Sequence, residues 1–177
     1  AFSPDNKYLV SSGSDCTVRV WNVAKGNEIT TLRGHGSSVS SVVFTPDGKQ
    51  VVSGSEDGTI KVWDTTLDYT GKYFWSDTLS VLSIAFSPDG KRLVSRTRDG
   101  KVKVWDVAST VEIMTLSSGR GVYFGSTAFS PDGKRIASLS AERTIIVWDV
   151  DTGAEVAKLG GQEEWVYCLT FSPDGKR

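Results

Sequence analysis

The single histidine of this 177-residue chain, His35, is the first place to look for chemistry, because imidazole is the commonest acid, base and metal ligand at neutral pH. Ser, His and Asp residues all occur, as an acyl-transfer triad requires. Such a triad also needs an exposed nucleophile, and no motif here sets one on a sharp strand-to-helix turn. One histidine cannot assemble a histidine-based zinc site, and Cys16 and Cys168 are too isolated for a thiolate site or a disulfide framework. The Gly34-His35-Gly36 run lacks the third glycine and the following helix of a dinucleotide fingerprint. No catalytic residue, metal site or cofactor is expected.

The elements that must position these residues are set by a repeat. The string F-[ST]-P-D-[GN]-K begins at Phe2, Phe44, Phe86, Phe129 and Phe171, spaced 42, 42, 43 and 42 residues apart. Nineteen residues after each of the first four stands a Trp: Trp21, Trp63, Trp105 and Trp148, followed by Asn22, Asp64, Asp106 and Asp149. The anchors therefore span 2–22, 44–64, 86–106 and 129–149, with a truncated copy from 171. Each period holds short apolar alternations separated by turn chemistry, the mark of four short strands. In the second copy these are Val39 to Phe44, Gln50 to Ser55, Thr59 to Asp64 and a weaker run near Lys72 to Trp75. Pro46-Asp47-Gly48 and Asp57-Gly58 supply the intervening hairpin turns. The aspartates of the repeated turns, such as Asp89 and Asp132, come one per period and read as turn formers, not as a cation cluster.

Two motifs recurring in fixed phase resemble the WD-repeat β-propeller family over essentially the whole chain. The resemblance implies an all-β fold of four-stranded antiparallel blades, the outermost strand of each blade preceding the inner three of the next. It implies three whole blades, a first blade lacking most of its innermost strand, and a lone innermost strand from Trp165 to Phe171. The ends of the sequence fall inside motifs, so it reads as a partial propeller, an open arc. The resemblance also implies a buried structural relay of His35, Ser53, Asp57 and Trp63, in which Asp57 and Ser53 engage the two ring nitrogens and the indole N–H meets Ser53. Other copies depart from it. The third has Asp77 in the histidine position with Ser95, Asp99 and Trp105 kept, and the fourth has Gly119 or Arg120 with Ser138 and Trp148 kept and Glu142 for Asp. The first keeps Ser11, Asp15 and Trp21, and Gln162 holds the place in the last.

Composition bounds the function. Twenty Lys and Arg against 21 Asp and Glu give a formal charge of −1, which offers no attraction for a phosphate backbone or an anionic membrane. Neither nucleic acid nor membrane is an expected partner. Two lone cysteines and no apolar leader point to an intracellular setting, cytoplasmic or nuclear.

In such a fold function lives on loops that differ between blades, so the expected function is non-catalytic protein–protein interaction. The alternative is a recognition or regulatory arm of a larger NTPase-type sensor protein. A hydrolytic propeller would need convergent carboxylates, and the inner runs Val39 to Phe44 and Val81 to Phe86 have none. Candidate partner contacts are positions that turn aromatic or charged in particular blades. Tyr123 and Trp165 match Ser38 and Ser80, Tyr167 matches Ser40, Leu82 and Gly125, and Arg96 and Arg98 stand where the second blade has Gly54 and Glu56.

Overall fold

A computed structural model describes residues 1–64, the backbone of 73–75, and residues 79–119, 125–160, 163–164 and 166–177. The described residues form strands and turns without a helix, and hence no helix long and apolar enough to cross a membrane. The chain divides into two compact units, Ala1–Val81 and Leu82–Arg177.

The first unit carries two sheets. One contains β1 (Tyr8–Ser12), β2 (Thr17–Asn22) and β3 (Asn27–Arg33), in that spatial order. Ala1 and Phe2 extend it as the stub of an innermost strand, with a Phe2–Leu9 bridge and the Ala1 carbonyl accepting from Val10 N–H at 2.8 Å. The other contains β4 (Val39–Phe44), β5 (Gln50–Ser55), β6 (Thr59–Asp64) and β7 (Tyr73–Trp75), again in sequential order. The bounds of β4, β5 and β6 coincide with the alternating runs read from the sequence.

The second unit repeats the arrangement. Its sheets are β8 (Val81–Phe86, whose first residue lies at the unit boundary), β9 (Arg92–Thr97), β10 (Lys101–Asp106) and β11 (Glu112–Ser117), then β12 (Thr127–Phe129), β13 (Arg135–Leu139), β14 (Ile145–Asp149) and β15 (Glu155–Leu159). All pairings are antiparallel. The innermost strand expected from Trp165 to Phe171 does not form: Trp165 lies outside the described residues, and 166–171 belong to no strand. A strand needs a ladder partner, which in every other copy is the strand following the Pro-Asp-Gly turn.

Alternation along the third strand of each sheet explains how sheets stack. In β10, Val102 and Val104 point to one face while Lys103 and Trp105 point to the other, and all four are buried. Within each unit the valine face of the first sheet meets the tryptophan face of the second. In the first unit, Val10, Val18, Val20 and Leu32 cluster with Val39, Phe44, Val51 and Trp63. In the second, Val94, Val102, Val104 and Leu116 cluster with Phe129, Ile136, Ile146 and Trp148. The outer strands β3, β11 and β15 are bent by a register shift beside the repeated Trp, at Val20/Trp21, Val104/Trp105 and Val147/Trp148. At two of these bulges a Glu bonds back to a cation on the third strand: Glu28 to Arg19 at 3.0 Å, and Glu112 to the buried Lys103 at 2.8 Å.

The hairpin turns between first and second strands share one hydrogen-bond set. In the fourth sheet Ser130 Oγ donates to Asp132 Oδ1 at 2.5 Å, Lys134 N–H donates to the same oxygen at 3.0 Å, and Arg135 N–H donates to Ser130 Oγ at 2.9 Å. The aspartate is thus consumed by its own turn. The following glycine has positive φ and abuts the proline of the preceding turn: a Cβ on Gly48 would lie 3.4 Å from Pro4, one on Gly133 3.5 Å from Pro88, and one on Gly175 3.5 Å from Pro131.

One turn violates the local rule. Between third and fourth strands, Gly26 and Gly153 take the left-handed conformation, with φ of 65° and 70°, but in the third sheet that place belongs to Thr110 at 61°. A β-branched residue is strained there. Thr110→Gly is expected to raise stability by about 1 kcal/mol, or roughly 2–4 °C in thermal midpoint. An unchanged or lowered midpoint in a thermal melt would show that the threonine makes a compensating contact.

Candidate functional site

The turns joining second to third strands begin at the ends of β1, β5, β9 and β13 and carry Asp57 and Arg98, while the loop before β4 carries His35. In the second sheet the loop is folded onto its blade by buried polar contacts. His35 Nε2 lies 2.7 Å from Ser53 Oγ, its Nδ1 lies 3.0 Å from Asp57 Oδ2, and Trp63 Nε1–H donates to Ser53 Oγ at 2.8 Å. The imidazole packs edge-on against the Trp63 indole, with ring centroids 5.8 Å apart. Gly36 N–H donates to Asp57 Oδ2 at 2.7 Å, while Thr59 N–H and Oγ1 both donate to Oδ1. Lys61 Nζ donates to the Gly34 carbonyl.

This environment shifts both titrating groups. Burial pushes the His35 pKa below its ordinary value against the opposing pull of Asp57, so the ring is neutral at physiological pH. Burial alone would raise the Asp57 carboxyl, but the bonds from Thr59, the Gly36 N–H and His35 outweigh it and hold the group at about 2. Ser53 is fully buried and already engaged with an indole N–H and an imidazole nitrogen. It is not presented to a substrate as a nucleophile would be.

The same Trp-to-Ser bond recurs without the histidine. Trp21 donates to Ser11 at 2.9 Å, and Trp105 donates to Ser95 at 2.8 Å. Asp77, Arg120 and Gln162, which stand in or near the histidine place of other copies, lie outside the described residues. Among the described residues no group of three or more His, Cys, Asp and Glu side chains is placed to hold a metal ion.

The five candidate contact residues are placed differently. Arg98 sits half-buried on the turn after β9, and Tyr167 is 64 % exposed. Tyr123 and Trp165 lie outside the described residues. Arg96 is withdrawn from the surface, being fully buried in β9 opposite Val102, because the strand runs on through Thr97 and carries residue 96 inside the ladder. Its place as a docking residue is corrected accordingly.

Two further residues on these turns escaped the sequence reading. Gly58 and Gly100 have φ of 82° and 86°, but the matching places hold Cys16 at 64° and Arg143 at 60°. The signal was present as Asp15-Cys16 and Glu142-Arg143 where other copies read Asp-Gly. Arg143 is exposed and donates through Nη1 to the Glu163 carbonyl at 2.5 Å. The adjacent Glu142 pairs with Lys158 at 2.5 Å.

Sheets of antiparallel strands in sequential order, stacked valine face to tryptophan face and tied by a Trp–Ser bond, define a tandem blade-repeat protein. The WD domain, G-beta repeat family matches this chain at residues 1–22, 26–64, 70–106, 113–149 and 153–177, and the chain belongs to that family. It is also 51 % identical over 45 residues to an uncharacterised WD repeat-containing protein of Synechocystis sp., a stretch that covers 25 % of this chain and 13 % of that protein. WD repeats serve in general as protein-interaction scaffolds.

Proposed function

We propose that this chain is a non-catalytic scaffold that binds other proteins through the face bearing the Gly34-His35 loop and the turns between second and third strands. The observation that carries the reading is the strain on that face. Two of its four turns keep Cys16 and Arg143 in a conformation glycine adopts freely, at a cost of about 1 kcal/mol or more each. Folding alone favours glycine there, so the side chains are retained for what they contact. The turns between first and second strands hold Gly48, Gly90, Gly133 and Gly175 in the corresponding place, with Asn6, which tolerates this region; at that end of the sheets the strained residue is Thr110, on a turn between third and fourth strands. Exposed Arg143 and half-buried Arg98 are of the type that anchors protein interfaces.

The test exploits the strain. Arg143→Gly is expected to raise the thermal midpoint by roughly 2–4 °C while lowering partner recovery from cell extract, a separation that misfolding cannot mimic. Arg98→Ala, Tyr123→Ala, Trp165→Ala and Tyr167→Ala are expected to lower recovery as well. Full recovery in all five variants, with loss on substituting Lys49 and Lys91, would assign binding to the other face.

A further inference from the structure

Among the described residues Arg96 is the largest fully buried side chain, and it reaches out of its own sheet. Its Nε–H donates to the Leu139 carbonyl of β13 at 3.1 Å, so a residue of the third sheet closes a bond at the end of the fourth. The second sheet shows what that carbonyl ordinarily meets. There the matching oxygen, Gly54 O, accepts from Ser40 Oγ of the same sheet at 3.1 Å, and β4 starts at Val39. In the fourth sheet the residue in phase with Ser40 is Gly125, which has no hydroxyl, and β12 starts only at Thr127. The ladder is three residues shorter than β4, and the arginine stands at its open end.

The fit is two-sided. A Cβ built on Gly125 would fall against Arg96 Nη1, 2.7 Å from Cζ and 3.0 Å from Cδ, so any larger residue would displace the guanidinium. Between the first and second copies the places of Arg96 and Gly125 are held by Ser12 and Ser40. We propose that Arg96 is an interblade latch, giving the Leu139 carbonyl a donor at 3.1 Å where the fourth sheet's own Ser138 Oγ reaches it only at 3.5 Å, and fitting only a neighbour with glycine at position 125, so that the two residues together specify which blade follows the third. In a chain of near-identical repeats, hydrophobic faces alone cannot distinguish one neighbour from another, and such a matched pair can.

A double-mutant cycle in the whole chain tests this. Arg96→Gly is expected to lower the thermal midpoint by about 4–8 °C, and Gly125→Ser by at least as much. The double variant R96G/G125S, which removes the guanidinium and places at 125 a hydroxyl able to donate to the Leu139 carbonyl as Ser40 does to Gly54, is expected to melt several degrees above Gly125→Ser alone. Strict additivity would overturn the latch, as would a Gly125→Ser protein as stable as the parent. Should Gly125→Ser fail to fold, recovery of folding in R96G/G125S decides. Arg96→Met keeps the bulk and removes the fork. Hydrogen exchange over residues 125–139 is expected to accelerate at least tenfold in Arg96→Met, with β14 and β15 unchanged, and parent-like exchange there would reduce the arginine to a space filler.

Discussion

Replacing His35 with alanine is expected to destabilise the first unit by about 2–3 kcal/mol without removing any catalytic step. The side chain is 1 % exposed, and its loss opens a cavity beside Trp63. It also takes a partner from Ser53 and from Asp57, whose polar atoms stay behind in a site with little water access. Urea denaturation monitored by tryptophan fluorescence reads the change as a lower midpoint. A midpoint equal to that of the parent would mean that the loop holds its blade without the relay.

The same contacts set a pH dependence with a definite sign. His35 has a folded pKa below its ordinary 6.5, so between the two values the unfolded chain binds the extra proton and stability falls as pH drops below about 6.5. Asp57, held at about 2 in the folded state against an ordinary 3.8, contributes stability that is complete above 3.8 and is lost as pH falls toward 2. Two descending steps are therefore expected, and His35→Gln should abolish the upper one. An upper step that persists in His35→Gln must come from a group other than this chain's only histidine.

Leu32→Ala is expected to cost about 3 kcal/mol, within the usual 2–5 kcal/mol for a buried leucine, whereas Ile29→Ala on the same strand should change stability by less than about 0.5 kcal/mol. Leu32 is 2 % exposed and lies in the cluster joining the first two sheets, but Ile29 is 50 % exposed. The contrast measures how narrow the buried stripe of an outer strand is. Equal losses from both substitutions in chemical denaturation would mean that the outer face of β3 is covered as well.

The sequence was most informative where a signal is local and repeated. Period-two alternation marked β4, β5 and β6 to the residue, because their ends are cut by Pro-Asp-Gly and Asp-Gly turns. The relay residues could be placed through family resemblance, and the structure brings His35, Ser53, Asp57 and Trp63 within hydrogen-bond distance. What could not be read depended on neighbours far along the chain. Arg96 looked like a surface anchor because arginine is seldom fully buried, and its burial depends on the empty space over Gly125. Lys103 alternates with Val102 and Val104 as an exposed residue would, yet Glu112 and the face of Trp105 cover it. The run ending at Phe171 has the composition of a strand, but a strand is defined by its partner and composition cannot supply one.

The contact between each turn glycine and the proline before it bears on how such a protein can grow. Pro4 lies by Gly48, Pro88 by Gly133 and Pro131 by Gly175, so within each unit one copy of the motif offers a proline to the glycine of the copy after it. Duplicating one repeat in the gene inserts a proline and a glycine together, and the lengthened chain needs no new complement at this particular contact. A substitution in one copy, by contrast, is felt 44 or 45 residues away, where a residue smaller than proline would loosen the joint. Selection on the joint thus acts on the motif as a unit, favouring tandem copies that remain alike here while their binding turns diverge.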